Sequence, residues 1–344
     1  MGVNLIELLQ RKEITFDELK NKVIAVDASL FLYQFITTIR GRDGSLFTDS
    51  KGRVTSHLIG LFSRTTNLMT KGLKLVYVFD GKPPELKNKE KEKRTKLKQE
   101  AELKHKEAEE KEDIDEMRKY ASRTSRLTKE MVEEAKSLLA ALGIPIVHAP
   151  SEGEAQAAFL VKNGDAFAVA SQDADSLLFG TPRLIRNLSI AGKRKKTSKL
   201  AYETIKPEII DLAENLNNLG LDQDNLIALS MLVGTDYNNG GIKGIGPKNA
   251  LKFVKNYTKD MDALFEEVKW NEYFDYPWTD VFYTFKNMPV TKDYNLEWKP
   301  VDEEKVKHLL IDEHEFSEER VDSALKKLVK DKESKKQTGL GDFV

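Results

Sequence analysis

Four short apolar runs restrict the fold of this chain more than any other feature. They are KVIAVDA at 22–28, LKLVYVFDG at 73–81, IPIVHAP at 144–150 and AFAVASQDAD at 166–175. Three of them close on aspartates, and the other leads into SEGE. Helical patterns lie between them. Continuous apolar strands alternating with helices indicate a parallel sheet with both faces covered. No internal repeat is apparent, and 344 residues leave room for a large core. The predicted fold class is α/β, with a mainly parallel central sheet and helices on both faces.

Two regions depart from this pattern. Residues 83–128 are dominated by helix formers and carry few large apolar side chains. Their helix propensity is high but they have little to bury, so a long helical insertion projecting from the sheet is expected. A coiled coil is excluded because no apolar a/d seam is sustained. From about Lys206 the chain reads as mainly helical. There Trp270, Phe274, Trp278, Phe282 and Phe285 follow helical spacing, interrupted by Pro277, which fits core better than a ligand platform.

The acids at the strand ends pose the chemical question. Asp27 and Asp80 each close a strand, Asp173 and Asp175 follow another, and Glu152 and Glu154 flank a glycine at the mouth of a helix. Asp236 follows a further apolar helix. In open α/β sheets the carboxyl ends of the strands form the ligand crevice, so acids remote in sequence meet there. Each has a structural explanation of its own. Ser151 and Glu154 have the spacing of a capping box. Glu152 gains from a helix dipole, and Asp173 or Asp175 is placed to cap a helix.

The set is harder to explain that way. Two like charges ~4 Å apart repel by about 4 kcal/mol even at an effective dielectric of 20. Several carboxylates around one crevice therefore call for cations. The chain has no cysteine and five histidines, so the donors are oxygens and select hard ions such as Mg²⁺ or Mn²⁺. Two such ions roughly 3.5–4 Å apart suit phosphodiester hydrolysis.

A second pattern points to nucleic acid. GGIKGIGPKNALKFV at 240–254 has a Gly-hydrophobic-Gly turn between helices, with Gly244, Gly246 and Lys248 at its tip. Such a helix-hairpin-helix offers backbone amides to a phosphate without reading bases; an ordinary turn is the plainer alternative. Net charge is close to zero, with 55 Lys and Arg against 56 Asp and Glu. The positive charges are nevertheless grouped, at 87–98, 192–199 and 326–336, and patches matter more than totals for phosphate backbones. Solvated helix faces would account equally well for any one of these runs. Absence of cysteine excludes disulfides, thiolate sites and cysteine nucleophiles. No apolar run approaches the ~20 residues of a membrane span. The start lacks a signal peptide's basic and apolar regions, and Ile6 stands where myristoylation requires Ser or Thr.

With Asp27, Asp80, SEGEA, SQDADSLLFG, GTDYN and GIKGIGPKNAL in this order, the chain resembles the flap endonucleases, most closely the archaeal form. The resemblance runs essentially end to end and includes KGRVTSHLIGLFSRT, YVFDGKPPELK and DEHEFSEERV. It implies a structure-specific 5′ flap endonuclease with 5′–3′ exonuclease activity, acting in Okazaki fragment maturation and base excision repair. It further implies two Mg²⁺ ions, replaceable by Mn²⁺, with Asp27, Asp80, Glu152 and Glu154 in one group and Asp173, Asp175 and Asp236 in the other.

By the same resemblance, Lys87 and Arg94 draw the scissile phosphate toward the metals. Tyr33, which on periodicity would pass for core, stacks on a base. Arg40 and Arg64 contact the template strand, and Thr55 belongs to the region that takes a one-nucleotide 3′ flap. The hairpin at Gly244 and Gly246 resembles one that also holds K⁺. Gly2 permits removal of Met1, leaving an N-terminus near the metals. The tail QTGLGDFV resembles a sliding-clamp box of the proliferating cell nuclear antigen type, filled by Gln337, Leu340, Phe343 and Val344, the last where a second aromatic is usual.

The expected organisation is a nuclease region at 1–82 and 129–236, a helical arch at 83–128, a helix-hairpin-helix and helical part at 237–336, and a clamp-binding tail at 337–344. A monomer in the archaeal cytoplasm, associated with the nucleoid, is expected. Two other classes fit less well. An aspartyl-nucleophile phosphatase would carry Asp-x-Asp on its first strand, where this chain has DAS, and would leave arch and hairpin unexplained. A junction-binding scaffold would disfavour carboxylates near phosphates.

Overall fold

The computed structural model describes residues 5–87, 125–190, 192–195 and 202–328. Most of the predicted arch, and the whole clamp-binding tail, lie outside the described residues. The centre of the fold is a seven-stranded sheet of order β1-β9-β6-β5-β2-β3-β4. Its strands are β1 (Lys12–Glu13), β2 (Val23–Asp27), β3 (Lys74–Phe79), β4 (Ile146–His148), β5 (Ala168–Ala170), β6 (Arg183–Arg186) and β9 (Glu208–Asp211). A separate antiparallel ribbon joins β7 (Gly192–Lys195) to β8 (Tyr202–Ile205).

The five strands from β6 to β4 run parallel, as the apolar runs predict. The edge differs: β9 pairs antiparallel with β6, and β1 with β9. The stretch around 208–211, read from sequence as the start of a helical half, thus opens with a strand. From β2 the chain steps outward through β3 to β4, then returns to place β5 on the other side of β2. The strand order therefore reverses between β2 and β5, where a doubly wound sheet opens its crevice.

Alternate residues along each strand serve opposite cores, as the two-residue period of a strand dictates. Ala25, Val76, Val78 and Val169 join a core with α4 (Gly153–Lys162), α7 (Gln223–Val233) and α8 (Pro247–Asn256). Ile24, Val26, Leu75, Tyr77 and Ala170 face α1 (Ala28–Thr38), α2 (Ser56–Thr70) and α3 (Lys129–Ala141). Near-complete burial of the valine, leucine and isoleucine side chains among these is worth about 1.5–3 kcal/mol each, so both helical layers are held firmly.

Three short helices, α5 (Asp175–Leu178), α6 (Leu212–Leu219) and α9 (Met261–Glu267), lead towards the aromatic stretch. There α10 (Trp270–Tyr273) and α11 (Trp278–Lys286) are core, as their spacing predicts: Trp270 is fully buried and Phe265 stacks on Trp278 with centroids 4.6 Å apart. The C-terminal part, α12 (Glu303–Lys307), a π-helical turn at His308–Glu313 and a helix at 318–328, closes over α3. Beneath it two fully buried histidines flank Glu134: His57 Nε2 lies 3.0 Å and His314 Nε2 3.5 Å from its carboxylate. Asp49 links His314 at 3.3 Å to Arg53 at 2.7 Å, tying the 46–56 loop to this end of the chain. No described helix is long and apolar enough to cross a membrane.

Candidate active site

The crevice at the switch point collects the acids. Asp27 is both the last residue of β2 and the cap of α1, accepting a hydrogen bond from the Leu30 amide at 2.9 Å. Asp80 follows β3 directly. Beyond it the chain still runs beside the segment after β4, with the Gly81 amide donating to the Ser151 carbonyl at 2.6 Å and that of Lys82 to Pro150 at 3.2 Å. A Cβ on Gly81 would stand 2.2 Å from the Ala149 carbonyl oxygen, so only glycine permits this approach.

The two glutamates are not explained by capping. Ser151 is outside the helix and its hydroxyl donates to the Lys82 carbonyl at 2.9 Å, so the capping box that the Ser151–Glu154 spacing allows does not form. Glu152 occupies the cap position of α4 without a side-chain capping bond. Gly153 between the glutamates donates its amide to Asp80 Oδ1 at 2.7 Å, and a Cβ there would meet the same oxygen at 2.8 Å. On the other side of β2, Asp173 and Asp175 follow β5; Ala174 is the cap of α5 and neither aspartate caps that helix.

Asp236 comes from outside the sheet, in the turn after α7. Fully buried Asn238 fastens that turn: its Oδ1 accepts from the Thr235 hydroxyl at 2.6 Å, and its Nδ2 donates to the Met231 carbonyl at 2.7 Å. The Tyr276 hydroxyl donates to the Tyr237 carbonyl at 2.9 Å from the aromatic core.

The electrostatics show these acids acting on one another. Burial, then Asp80 and Asp173, push Asp27 up to about 8 against the pull of the Leu30 amide and Lys87. Burial, Asp175, Asp27 and Asp173 lift Glu154 well above the usual carboxylate range. Lys87 reaches into the cluster, its Nζ 2.7 Å from Glu152 Oε2 and 3.3 Å from Asp236 Oδ2. Burial alone would depress the ammonium's pKa; Glu152, Asp236 and Asp80 more than reverse that. Glu152 is nonetheless raised, because its own burial outweighs the ammonium.

Among the described residues no three acids close tightly enough to form a ready-made cage for one ion. Mutual repulsion keeps uncompensated carboxylates apart, and Lys87 offsets part of it. The donor set nevertheless fits hard divalent cations: it is all carboxylate, and buried Glu152 Oε1 has no hydrogen-bond partner.

The other predicted residues spread around this centre. Tyr33 is half-buried on α1. Arg40 is tied internally, donating to the Ile36 and Gly44 carbonyls at 3.0 and 2.6 Å and to Ser125 Oγ at 2.5 Å. Thr55 is buried at the cap of α2, and Arg64 is exposed on that helix. Gly244, with φ +86°, and Gly246 form an exposed tip before α8, Lys248 is exposed in the first turn of that helix, and a Cβ added to either glycine would meet nothing within 4 Å. Gly2, Arg94, Gln337, Leu340, Phe343 and Val344 lie outside the described residues. Sequence reading missed Gly153, although a glycine between two acids at a helix mouth is the signal for it. It also missed Asn238, which nothing local marks.

Comparison with known proteins gives a consistent picture. Residues 1–101 match the model of the XPG N-terminal domain and residues 143–236 that of the XPG I-region, and all seven acids fall inside these spans. The chain is 55% identical over 340 residues to flap endonuclease 1 of Pyrococcus abyssi, covering 99% of this chain and 97% of that one. Flap endonuclease 1 of Hyperthermus butylicus is 53% identical over 333 residues, with 96% and 95% covered. Among solved structures, flap endonuclease-1 from Methanococcus jannaschii superposes with a TM-score of 0.75 at 41% identity, covering 97% of this chain and all of that one. The catalytic core of Rad2 in complex with DNA substrate gives 0.68 at 25% identity, with 92% and 96% covered.

Proposed function

This chain belongs to the flap endonuclease family, as an archaeal-type, structure-specific 5′ flap endonuclease that uses divalent metal, and from that premise we propose how its residues divide the work. Asp27, Asp80, Glu152 and Glu154 hold one Mg²⁺, and Asp173, Asp175 and Asp236 the other, with Mn²⁺ able to substitute. What such a pair of ions supplies is an activated water and a stabilised leaving oxygen.

The chain's own part is to bring a phosphate there and orient it. Lys87, with Arg94, offsets the charge of the scissile phosphate, and Tyr33 stacks on the adjoining base. Arg40 and Arg64 lie along the template strand, and Thr55 with the rest of KGRVTSHL at 51–58 receives a one-nucleotide 3′ flap. The hairpin of Gly244, Gly246 and Lys248 holds duplex backbone and a K⁺ ion, and Gly2, outside the described residues, belongs with the substrate-binding set.

The substrate is branched DNA with a 5′ flap, trimmed also by 5′–3′ exonuclease action in replication and repair. We assign residues 1–82 and 129–236 to the nuclease body, 83–128 to the arch and 237–336 to the duplex-holding part. Residues 337–344 bind a sliding clamp. A monomer working at the nucleoid in the cytoplasm fits these assignments.

One observation supports the reading above all others: burial and the neighbouring acids, gathered from four adjacent strand ends with Asp236, raise Asp27, Glu152 and Glu154 around a buried glutamate oxygen that has no hydrogen-bond partner. The test is Asp173→Ala and Asp236→Ala. Each should abolish cleavage of a labelled 5′ flap while preserving flap binding in Ca²⁺, because removing an acid also relieves repulsion of DNA. Turnover by either variant within about tenfold of wild type, some 1.4 kcal/mol, would reject the two-metal assignment.

A further inference from the structure

Lys87 sits where a cation is needed, and it does so incompletely. Its ammonium contacts Glu152 Oε2 at 2.7 Å and Asp236 Oδ2 at 3.3 Å. Glu152 stands at the mouth of α4 and Asp236 in the turn after α7, so one side chain joins acids assigned above to two different metal groups. The other oxygen of Glu152, Oε1, is buried with no hydrogen-bond partner. A single positive charge thus spans a cluster that two divalent ions would neutralise far better. A lysine on a flexible stem also has a ready alternative in water.

We infer that Lys87 is a built-in counter-ion that divalent metal must displace. In the metal-free protein it holds Glu152 and Asp236 together against repulsion. Glu152 and Asp236, each holding a divalent ion of its own group, would no longer need the ammonium, and Lys87 would be released to solvent. Metal affinity is then set lower than the carboxylates alone would give, because two ion-pair contacts are lost in the exchange. Lys87 also becomes available to a phosphate only after the metal has arrived, which prevents DNA from being gripped at an unloaded centre. This inference rests on the metal assignment above and adds to it a competition within the chain.

The experiment uses the full-length protein without DNA and Mn²⁺ as the probe, with the free ion measured by electron paramagnetic resonance. Lys87→Met, which keeps length and loses charge, should bind Mn²⁺ about tenfold more tightly, the effect of removing a partly buried, charge-assisted hydrogen bond that must otherwise be broken. Its metal-free Tm should fall, and the rise in Tm on adding Mn²⁺ should exceed that of wild type. Lys87→Arg should remain near wild type. Unchanged or weaker Mn²⁺ binding by Lys87→Met overturns the inference.

In the wild-type protein, labelling of Lys87 by an amine reagent, followed by mass spectrometry, should be slow without metal and faster with Mn²⁺; equal rates overturn it without recourse to any variant. Glu152→Gln and Asp236→Asn separate the two readings. If neither weakens Mn²⁺ binding, the metal assignment itself fails. If both weaken it but Lys87→Met does not strengthen it, only the counter-ion role fails.

Discussion

Gly153 shows how much a single missing atom organises. Its amide holds Asp80 in place at 2.7 Å, and the space its side chain would fill is occupied by the same carboxylate, 2.8 Å from where a Cβ would lie. Its backbone is not left-handed, so alanine there meets a clash and no torsional strain. Alanine also favours the first turn of a helix over glycine by up to about 1 kcal/mol. Gly153→Ala should therefore leave thermal stability near wild type while displacing Asp80. The expected outcome is a drop of at least about tenfold in flap cleavage, since ångström-scale misplacement at a reacting centre carries losses of that order or more. Melting curves and single-turnover rates check both halves, and wild-type rates in the alanine variant would show that Asp80 needs no such clamp.

Elements differ in how openly they announce themselves. The strands bearing Asp27, Asp80 and the Asp173–Asp175 pair are legible because each is buried on both faces and reads as an unbroken apolar run. The two antiparallel strands at the β1 end of the sheet, β1 and β9, are not, since Lys12, Glu13 and Glu208 take their conformation from pairing with a neighbour rather than from their own preferences. The Ser151–Glu154 spacing misleads for a related reason. The Ser151 hydroxyl has a better-placed acceptor in the Lys82 carbonyl, brought there by β3 and invisible to local pattern. The hairpin before α8 is legible through its glycines, and its function turns on exposure. Lys248 stands at the exposed start of α8, the end of a helix that favours an anion. Lys248→Ala should weaken duplex binding uniformly across sequences and reduce the slope of log affinity against log salt by about 1. A salt titration by fluorescence anisotropy checks this, and an unchanged slope would remove Lys248 from the phosphate contacts.

At the scale of the whole molecule, the acids of the crevice come from both sides of the arch region and from beyond the sheet, which is why the sequence lists them without showing that they meet. Their meeting depends on strand order. β2 pairs with β3 nearby in sequence, but on its other edge Ile24 pairs with Ala168, far along the chain and beyond the whole arch region. Closing so long a loop carries an entropic cost that local pairings do not, and contacts of such separation form slowly. The junction between β2 and β5, which brings Asp27 towards Asp173, is thus expected among the late events of folding. Refolding followed by far-ultraviolet circular dichroism and by Mn²⁺ uptake should show helix regained before ion binding; simultaneous recovery would contradict this order. A nascent chain would then carry its helices, and much of its core, for some time before it acquired any capacity to cut. On that order of events the seam that creates the crevice would also act as a timer, withholding nuclease activity until β5 has docked beside β2.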